Sequence, residues 1–141
     1  MNQPKPIERE NLIRQAIAAQ ERAYAPYSHY KVGAAVQTED GDIFTGCNIE
    51  NAVYPLCLCA ERVAIFKAVS EGAQRINAIA VVTANGGTPC GACRQVIREF
   101  SDLDTPVFIA WPDGTYREYT LEHLLPESFS RADLPADSEH R

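Results

Sequence analysis

Cys59-Ala60-Glu61-Arg62-Val63-Ala64, then Ala78-Ile79-Ala80-Val81-Val82-Thr83, then Pro89-Cys90-Gly91-Ala92-Cys93-Arg94 lie in sequence within residues 59–100. The first run opens a segment, Cys59 to Ser70, that reads as a helix with Ala60, Val63, Ala64, Phe66 and Ala68 before a stop at Gly72. Ala78 to Thr83 is a short apolar run of the kind that forms a buried strand. Asn85-Gly86-Gly87-Thr88-Pro89 reads as a loop, and Cys90 to Phe100 as a second helix. Cysteines therefore stand at two predicted helix starts, where unpaired N–H groups and the positive end of the macrodipole favour a thiolate over a thiol.

Three thiols and one carboxylate divided between two such segments make a zinc site with three protein ligands, Cys59, Cys90 and Cys93, and a proton carrier, Glu61. Three ligands leave one position of a tetrahedral zinc open, which is what a catalytic site needs for water. Glu61, two residues after a ligand, is the candidate catalytic residue. Alone it is a first-turn glutamate of a common kind, but beside a metal it can take a proton from water and pass it to a leaving group. That alternation suits hydrolytic removal of an amino group from a ring. In such a reaction the zinc would supply a nucleophilic hydroxide to an amidine-like carbon, with Glu61 expected to protonate the ring nitrogen and then the departing ammonia.

A zinc with three thiolates carries a formal charge of −1, too electron-rich to acidify water well. Arg62 stands in a helix first turn, where a cation is otherwise unfavourable, and is expected to donate to the sulfurs and offset the excess. Without that role it would be an ordinary surface arginine. Cys57 is one residue from Cys59, so in an extended segment the two thiols point to opposite sides and only one reaches the metal. Cys57 is expected to be a small buried apolar residue, and Cys47 to pack at a strand end. His29, His123 and His140 share no ligand spacing. The Cys90-x-x-Cys93 spacing is also that of a redox dithiol, a reading that leaves Cys59-x-Glu61 without a role.

Outward from this stretch, Ile7 to Ala23 reads as an amphipathic helix broken at Ala25-Pro26-Tyr27-Ser28. Val32 to Thr38 and Ile43 to Cys47 read as a hairpin across Glu39-Asp40-Gly41-Asp42. Asn48 to Leu58 has no clear period and reads as a loop. Pro106 to Trp111 and Thr115 to Tyr119 read as a second strand pair across Pro112-Asp113-Gly114, followed by a short helix at Leu121 to Leu124. At 141 residues the chain is expected to be one domain, 1–141, with mobile ends at 1–6 and 130–141.

Composition narrows the partners. Hydrophobic residues make up 45% and charged ones 23%, ordinary values for a globular domain. The formal net charge is −6, with no run of Lys or Arg, which disfavours nucleic acid and favours a small neutral substrate. No segment approaches transmembrane length, and Met1 to Pro6 lacks the apolar stretch of a signal peptide, so a cytoplasmic protein is expected. Five cysteines cannot all pair, and the cytosol keeps thiols reduced.

From Leu12 to Phe129 the chain resembles the small homotetrameric cytidine deaminases of nucleoside salvage. Besides the cysteine motifs, the resemblance rests on Tyr27-Ser28 and Lys31-Val32-Gly33-Ala34-Ala35. Gly46-Cys47-Asn48-Ile49-Glu50-Asn51-Ala52 and Leu124-Leu125-Pro126-Glu127-Ser128-Phe129 also carry it. It implies a three-layer α/β/α sandwich with a mixed five-stranded sheet, one Zn2+ per chain, and deamination at C4 of cytidine and 2′-deoxycytidine. It implies that Asn48 and Glu50 bond the sugar 3′-hydroxyl. Two residues apart in an extended segment, they face the same way; otherwise they are solvated loop residues. Ala60 would offer its backbone to the base edge. Tyr30, where the family usually has Phe, would lie against the nucleoside. Phe129 would reach the neighbouring subunit's nucleoside in a tetramer; without the resemblance, a near-terminal Phe beside Leu124 and Leu125 reads as core packing. Blasticidin-type deaminases share the cysteine motifs but not the Asn48-to-Asn51 segment. A polynucleotide-editing deaminase would want a basic groove, and a structural zinc module a fourth protein ligand.

Overall fold

A computed structural model describes residues 3–135 of the chain. Helix α1 spans Arg9–Gln20, shorter at both ends than its periodicity predicts. At its start the Glu8 N–H is drawn to Gln37 Oε1, 3.0 Å away. At its end Arg22 and Ala23 donate to carbonyls three residues back, at 3.0 and 3.1 Å, tightening the last turn before Pro26. Strands β1 (Gly33–Thr38) and β2 (Ile43–Cys47) form the expected hairpin, with Ala35 opposite Thr45. Helix α2 (Ala60–Ser70), strand β3 (Ile76–Val82), helix α3 (Gly91–Phe100), strands β4 (Pro106–Ala110) and β5 (Tyr116–Thr120) and helix α4 (Leu121–Leu124) complete the order.

The five strands form one sheet in the order β2-β1-β3-β4-β5. β3 and β4 are parallel, and the chain crosses between them through α3; the other neighbours are antiparallel. The sheet is therefore mixed, and both faces are covered because its inner strands alternate two apolar sets. Ala35, Ala78, Ala80, Val82, Phe108 and Ala110 pack against Leu12, Ile13 and Ala16 of α1. Ala34, Val36, Ile79, Val81, Val107 and Ile109 pack against α2, Ile97 of α3 and Leu121 and Leu124 of α4. The three layers follow from this alternation. A side chain such as Ile65 or Ile79, fully buried, contributes about 2 kcal/mol by leaving water.

Gly46 sets the height of α2 above the sheet. A Cβ there would stand 2.5 Å from the Ala64 nitrogen and 2.6 Å from the Ala60 oxygen, so only glycine lets the first turn of α2 rest on β2. Between these two elements the residues read as a loop carry local order: Ile49 bridges to both Tyr24 and Leu58, and Tyr54–Leu56 is a single 3-10 turn. The ends expected to be mobile lie partly outside the described residues. Within them, the Lys5 N–H donates to Glu39 O at 3.0 Å, and Ser130 caps a 3-10 turn at Arg131–Asp133.

Candidate active site

Cys59 and Cys90 are the N-cap residues of α2 and α3, each helix starting one residue later than the sequence pattern indicates. Both have extended backbones (φ −75°, ψ 152° and φ −66°, ψ 167°), and neither side chain caps its own helix. Their sulfurs are thus left for another partner. Cys93, in the first turn of α3, is fully buried. The three Sγ atoms lie within 4.8 Å of one another.

A tetrahedral zinc with bonds of about 2.3 Å needs sulfurs roughly 3.8 Å apart, and a soft all-thiolate donor set is one that zinc prefers. The cluster fits that ion. Cys57 stays out of it. Instead of being a buried apolar residue, it is half-buried, and its sulfur accepts from the Asn51 N–H at 3.2 Å, because the turn at Tyr54–Leu56 folds it back onto Asn51. No fourth cysteine joins the group among the described residues. Cys47 is half-buried at the end of β2.

The Cys59 thiol is pulled down to about 5, first by the hydrogen bond it accepts from Cys93 and then by Arg62. Cys93, donating to Cys59 and buried, is shifted upward. A bound metal would displace the protons that such thiols hold. Arg62 Nη2 donates to Cys59 Sγ at 3.3 Å. The contact expected from the charge argument is therefore formed, on the half-buried side of α2. Glu61 is 4% exposed. Burial raises its carboxyl to about 7, the Cys59 charge adds to the rise, and Arg62 opposes it.

A cleft of about 520 Å³ opens in front of these groups, a volume suited to a small molecule. Cys59, Ala60, Glu61, Arg62 and Cys90 line one side. Ala60 is the first residue of α2, where the backbone N–H has no intrahelical partner. The other side is built from Ser28, Tyr30, Asn48 and Glu50. There Glu50 Oε1 accepts from the Tyr27 and Ser28 N–H groups at 3.0 and 3.1 Å, and Oε2 from the Ser28 hydroxyl. These bonds, Ser28 foremost, hold the carboxyl below its ordinary range, so it is an anion fixed in place. Asn48 donates to Tyr30 O at 2.7 Å and accepts from the Val32 N–H at 2.9 Å. Its amide is thus oriented by the backbone of the loop that carries Tyr30.

Phe129 does not line this cleft; the residue is 58% exposed, and its carbonyl accepts from Gln95 Nε2 at 2.8 Å. The remaining candidates come together. The sequence reading passed over Ser28 as an anchor for Glu50, and also Arg94, which bonds Pro89 O, Thr88 Oγ1 and Leu124 O at 2.7, 2.8 and 2.6 Å and so steadies the approach to Cys90. The signal for Ser28 lay in the turn at Pro26-Tyr27-Ser28. Arg94 carried none, since its partners are mostly backbone carbonyls.

A three-thiol cluster at two helix starts, with a buried glutamate beside it, makes this a zinc-binding hydrolytic centre. The family described as the cytidine and deoxycytidylate deaminase zinc-binding region matches residues 6–109. A cytidine deaminase of Sporosarcina psychrophila is 49% identical over 132 residues, covering 92% of this chain and 97% of that one. One from Mycobacterium tuberculosis is 40% identical over 130 residues, covering 90% and 94%. The crystal structure of cytidine deaminase from Burkholderia pseudomallei superposes with a TM-score of 0.82 at 47% identity, covering 87% of this chain and all of that one. The chain belongs to the cytidine deaminase family.

Proposed function

We propose that the chain hydrolyses cytidine and 2′-deoxycytidine to uridine and 2′-deoxyuridine with release of ammonia, serving pyrimidine nucleoside salvage. The observation that carries this reading is the shared cleft: Glu61 and the thiol cluster at one end, the fixed carboxylate of Glu50 at the other. One zinc per chain, held by Cys59, Cys90 and Cys93, supplies Lewis acidity that makes water nucleophilic at neutral pH. Arg62 offsets the charge of the thiolates through its contact with Cys59.

Glu61 moves the protons. Buried, it holds a proton at neutral pH far more readily than an ordinary carboxyl. It takes a proton from the attacking water, places it on ring N3, and delivers the next to the amino group leaving C4. A C–O bond forms at C4, the C–N bond breaks, and ammonia departs. The unpaired N–H at Ala60 meets the base edge, the Tyr30 ring lies along the nucleoside, and Asn48 and Glu50 hold the 3′-hydroxyl. Both substrates carry that hydroxyl and the same base.

Phe129 acts on a neighbour's nucleoside in a homotetramer. Its exposure, away from its own cleft, supports this, as does the exposed apolar run Val53, Tyr54 and Leu56, of which Tyr54 lines the cleft. No helix among the described residues is long and apolar enough to cross a membrane, and we assign the protein to the cytoplasm. Substrate class is tested by following loss of cytosine absorbance with cytidine, deoxycytidine, cytosine and CMP. Turnover of the first two only is expected; turnover of free cytosine would overturn the role given to the sugar-binding side, and turnover of CMP the assignment to unphosphorylated nucleosides. Sharing is tested by refolding Glu61→Ala and Phe129→Ala subunits together. Hybrids more active than the weighted parents are expected, and hybrids without gain would return Phe129 to its own subunit.

A further inference from the structure

The two sides of the cleft come from distant parts of the chain, and a side-chain hydrogen bond joins them. Tyr30 Oη donates to Asn85 Oδ1 at 2.7 Å, across 55 residues of sequence. Asn85 lies in the loop from Thr83 to Pro89 that delivers Cys90 to the cluster. The bond does not stand alone. Asn85 Oδ1 also accepts from the Thr83 hydroxyl at 3.3 Å, and Thr83 Oγ1 in turn accepts from the Gly87 N–H at 2.7 Å. The bonds in this series run in a consistent direction, each hydroxyl donating once. On its other side Tyr30 is held through its own backbone: its N–H donates to Ser28 Oγ at 3.1 Å and its carbonyl accepts from Asn48. Glu50, Ser28, Tyr30, Asn85, Thr83 and Gly87 thus form one continuous network from the sugar-binding end to the loop ahead of Cys90.

The loop is shaped for this contact. A Cβ on Gly87 would stand 2.6 Å from Tyr30 Oη, so the tyrosine hydroxyl occupies the space that any other residue at 87 would need. On the loop's far face, a Cβ on Gly86 would stand 2.2 Å from the Trp111 ring. Two consecutive glycines therefore let the loop sit between Tyr30 and Trp111.

We propose that Tyr30 and Asn85 form a latch holding the Thr83–Pro89 loop against the nucleoside cleft, with Asn85 a positioning residue for substrate. The inference rests on the functional reading above and deepens it, because the hydroxyl that distinguishes Tyr30 from the family's usual Phe acquires a task. A phenylalanine would keep the ring against the nucleoside and lose the latch. With the latch open, the two sides of the cleft separate before substrate arrives, and each binding event must first close them. The loss falls on KM, while Glu61 and the thiol cluster still turn over what is bound.

Trp111 makes the latch visible without substrate. It is the one tryptophan of the chain and touches the loop at Gly86. The experiment compares Tyr30→Phe, Asn85→Ala, the double variant and Asn85→Asp with wild type, all zinc-loaded. Losing one neutral hydrogen bond at a partly exposed site should raise KM for cytidine roughly fivefold in each single variant, with kcat within about twofold. The double variant should lose no more than either single one, since both break the same bond. Asn85→Asp keeps the acceptor for both hydroxyls and should restore wild-type KM. With no nucleoside present, Trp111 emission should shift to the red and become more quenchable by acrylamide in Tyr30→Phe and Asn85→Ala, and not in Asn85→Asp. Unmoved fluorescence, unmoved KM, additive losses, or an Asn85→Asp variant as impaired as Asn85→Ala would each overturn the latch. A wild-type protein that turns over no nucleoside while its fluorescence follows this pattern would contradict the functional reading and leave the latch standing.

Discussion

The two ends of the cleft are built on different principles. At the metal end, Cys59, Glu61, Cys90 and Cys93 are positioned by secondary structure: caps and first turns of α2 and α3, packed on a sheet that buries Ala60, Ala64 and Ile97. At the end we propose for the sugar, Ser28, Tyr30, Asn48 and Glu50 stand on loops and are positioned by hydrogen bonds to one another and to nearby backbone. The first arrangement is stiff and buries Glu61 and Cys93, while Cys90 stays exposed at the cleft. The second is open to solvent and adjustable, as admission and release of a nucleoside demand. Mutations at the metal end should therefore act on metal binding and kcat, and mutations at the sugar end on KM.

The largest expected effect tests that division at its root. Cys59→Ala should lose zinc and activity together, while Cys57→Ala, whose sulfur bonds Asn51 instead, should keep one zinc per chain. Metal analysis of the two purified variants checks this, and the reverse pattern would break the ligand assignment. Arg62→Gln comes next. Withdrawing the charge beside Cys59 should lower zinc affinity or kcat by roughly ten- to a hundredfold without unfolding the protein. Competition with a chelator, read alongside turnover, checks it.

At the sugar end the numbers shrink. Ser28→Ala removes a hydroxyl bond to Glu50 and the acceptor for the Tyr30 N–H, and should raise KM for cytidine roughly three- to tenfold with kcat little changed. A fall in kcat instead would blur the contrast between the two ends. The smallest effect is on stability against acid. Glu50 titrates below its ordinary value of 4.5, so the stability it lends is complete above that value and is lost as pH falls through the lowered one. Wild type should lose Tm faster than Glu50→Gln over that interval, the two curves converging in acid. Parallel curves would mean that the Ser28 bonds do not favour the charged carboxylate.

The same contrast explains what the sequence made legible. Cys59, Glu61, Cys90 and Cys93 could be read because thiols at helix starts are a local pattern, and helix starts follow from nearby residues. Even there the helices begin one residue later, at Ala60 and Gly91, since the cysteines serve as caps. The strands at Val32 to Thr38 and Ala78 to Thr83 were legible for the same local reason, though not the two faces into which their residues divide. The 48–58 segment showed no period because its order is non-local: Ile49 pairs with Tyr24 and Leu58. Cys57 was misjudged because its partner, Asn51, is reached only through the turn at Tyr54–Leu56. Asn85 carried no signal at all, since its meaning depends on a hydroxyl at Tyr30.

The central claim is that Glu61 carries the protons of a hydrolytic deamination beside the Cys59–Cys90–Cys93 centre. Glu61→Gln keeps the shape of the side chain and removes its ability to take up and return a proton. Zinc content and kcat for cytidine, measured on the same preparation, test this most directly. One zinc per chain with kcat reduced by well over a hundredfold is the predicted result, as expected when one carboxylate serves several proton transfers. A zinc-loaded variant that retained about a tenth of wild-type kcat, far above what loss of a proton carrier allows, would contradict it.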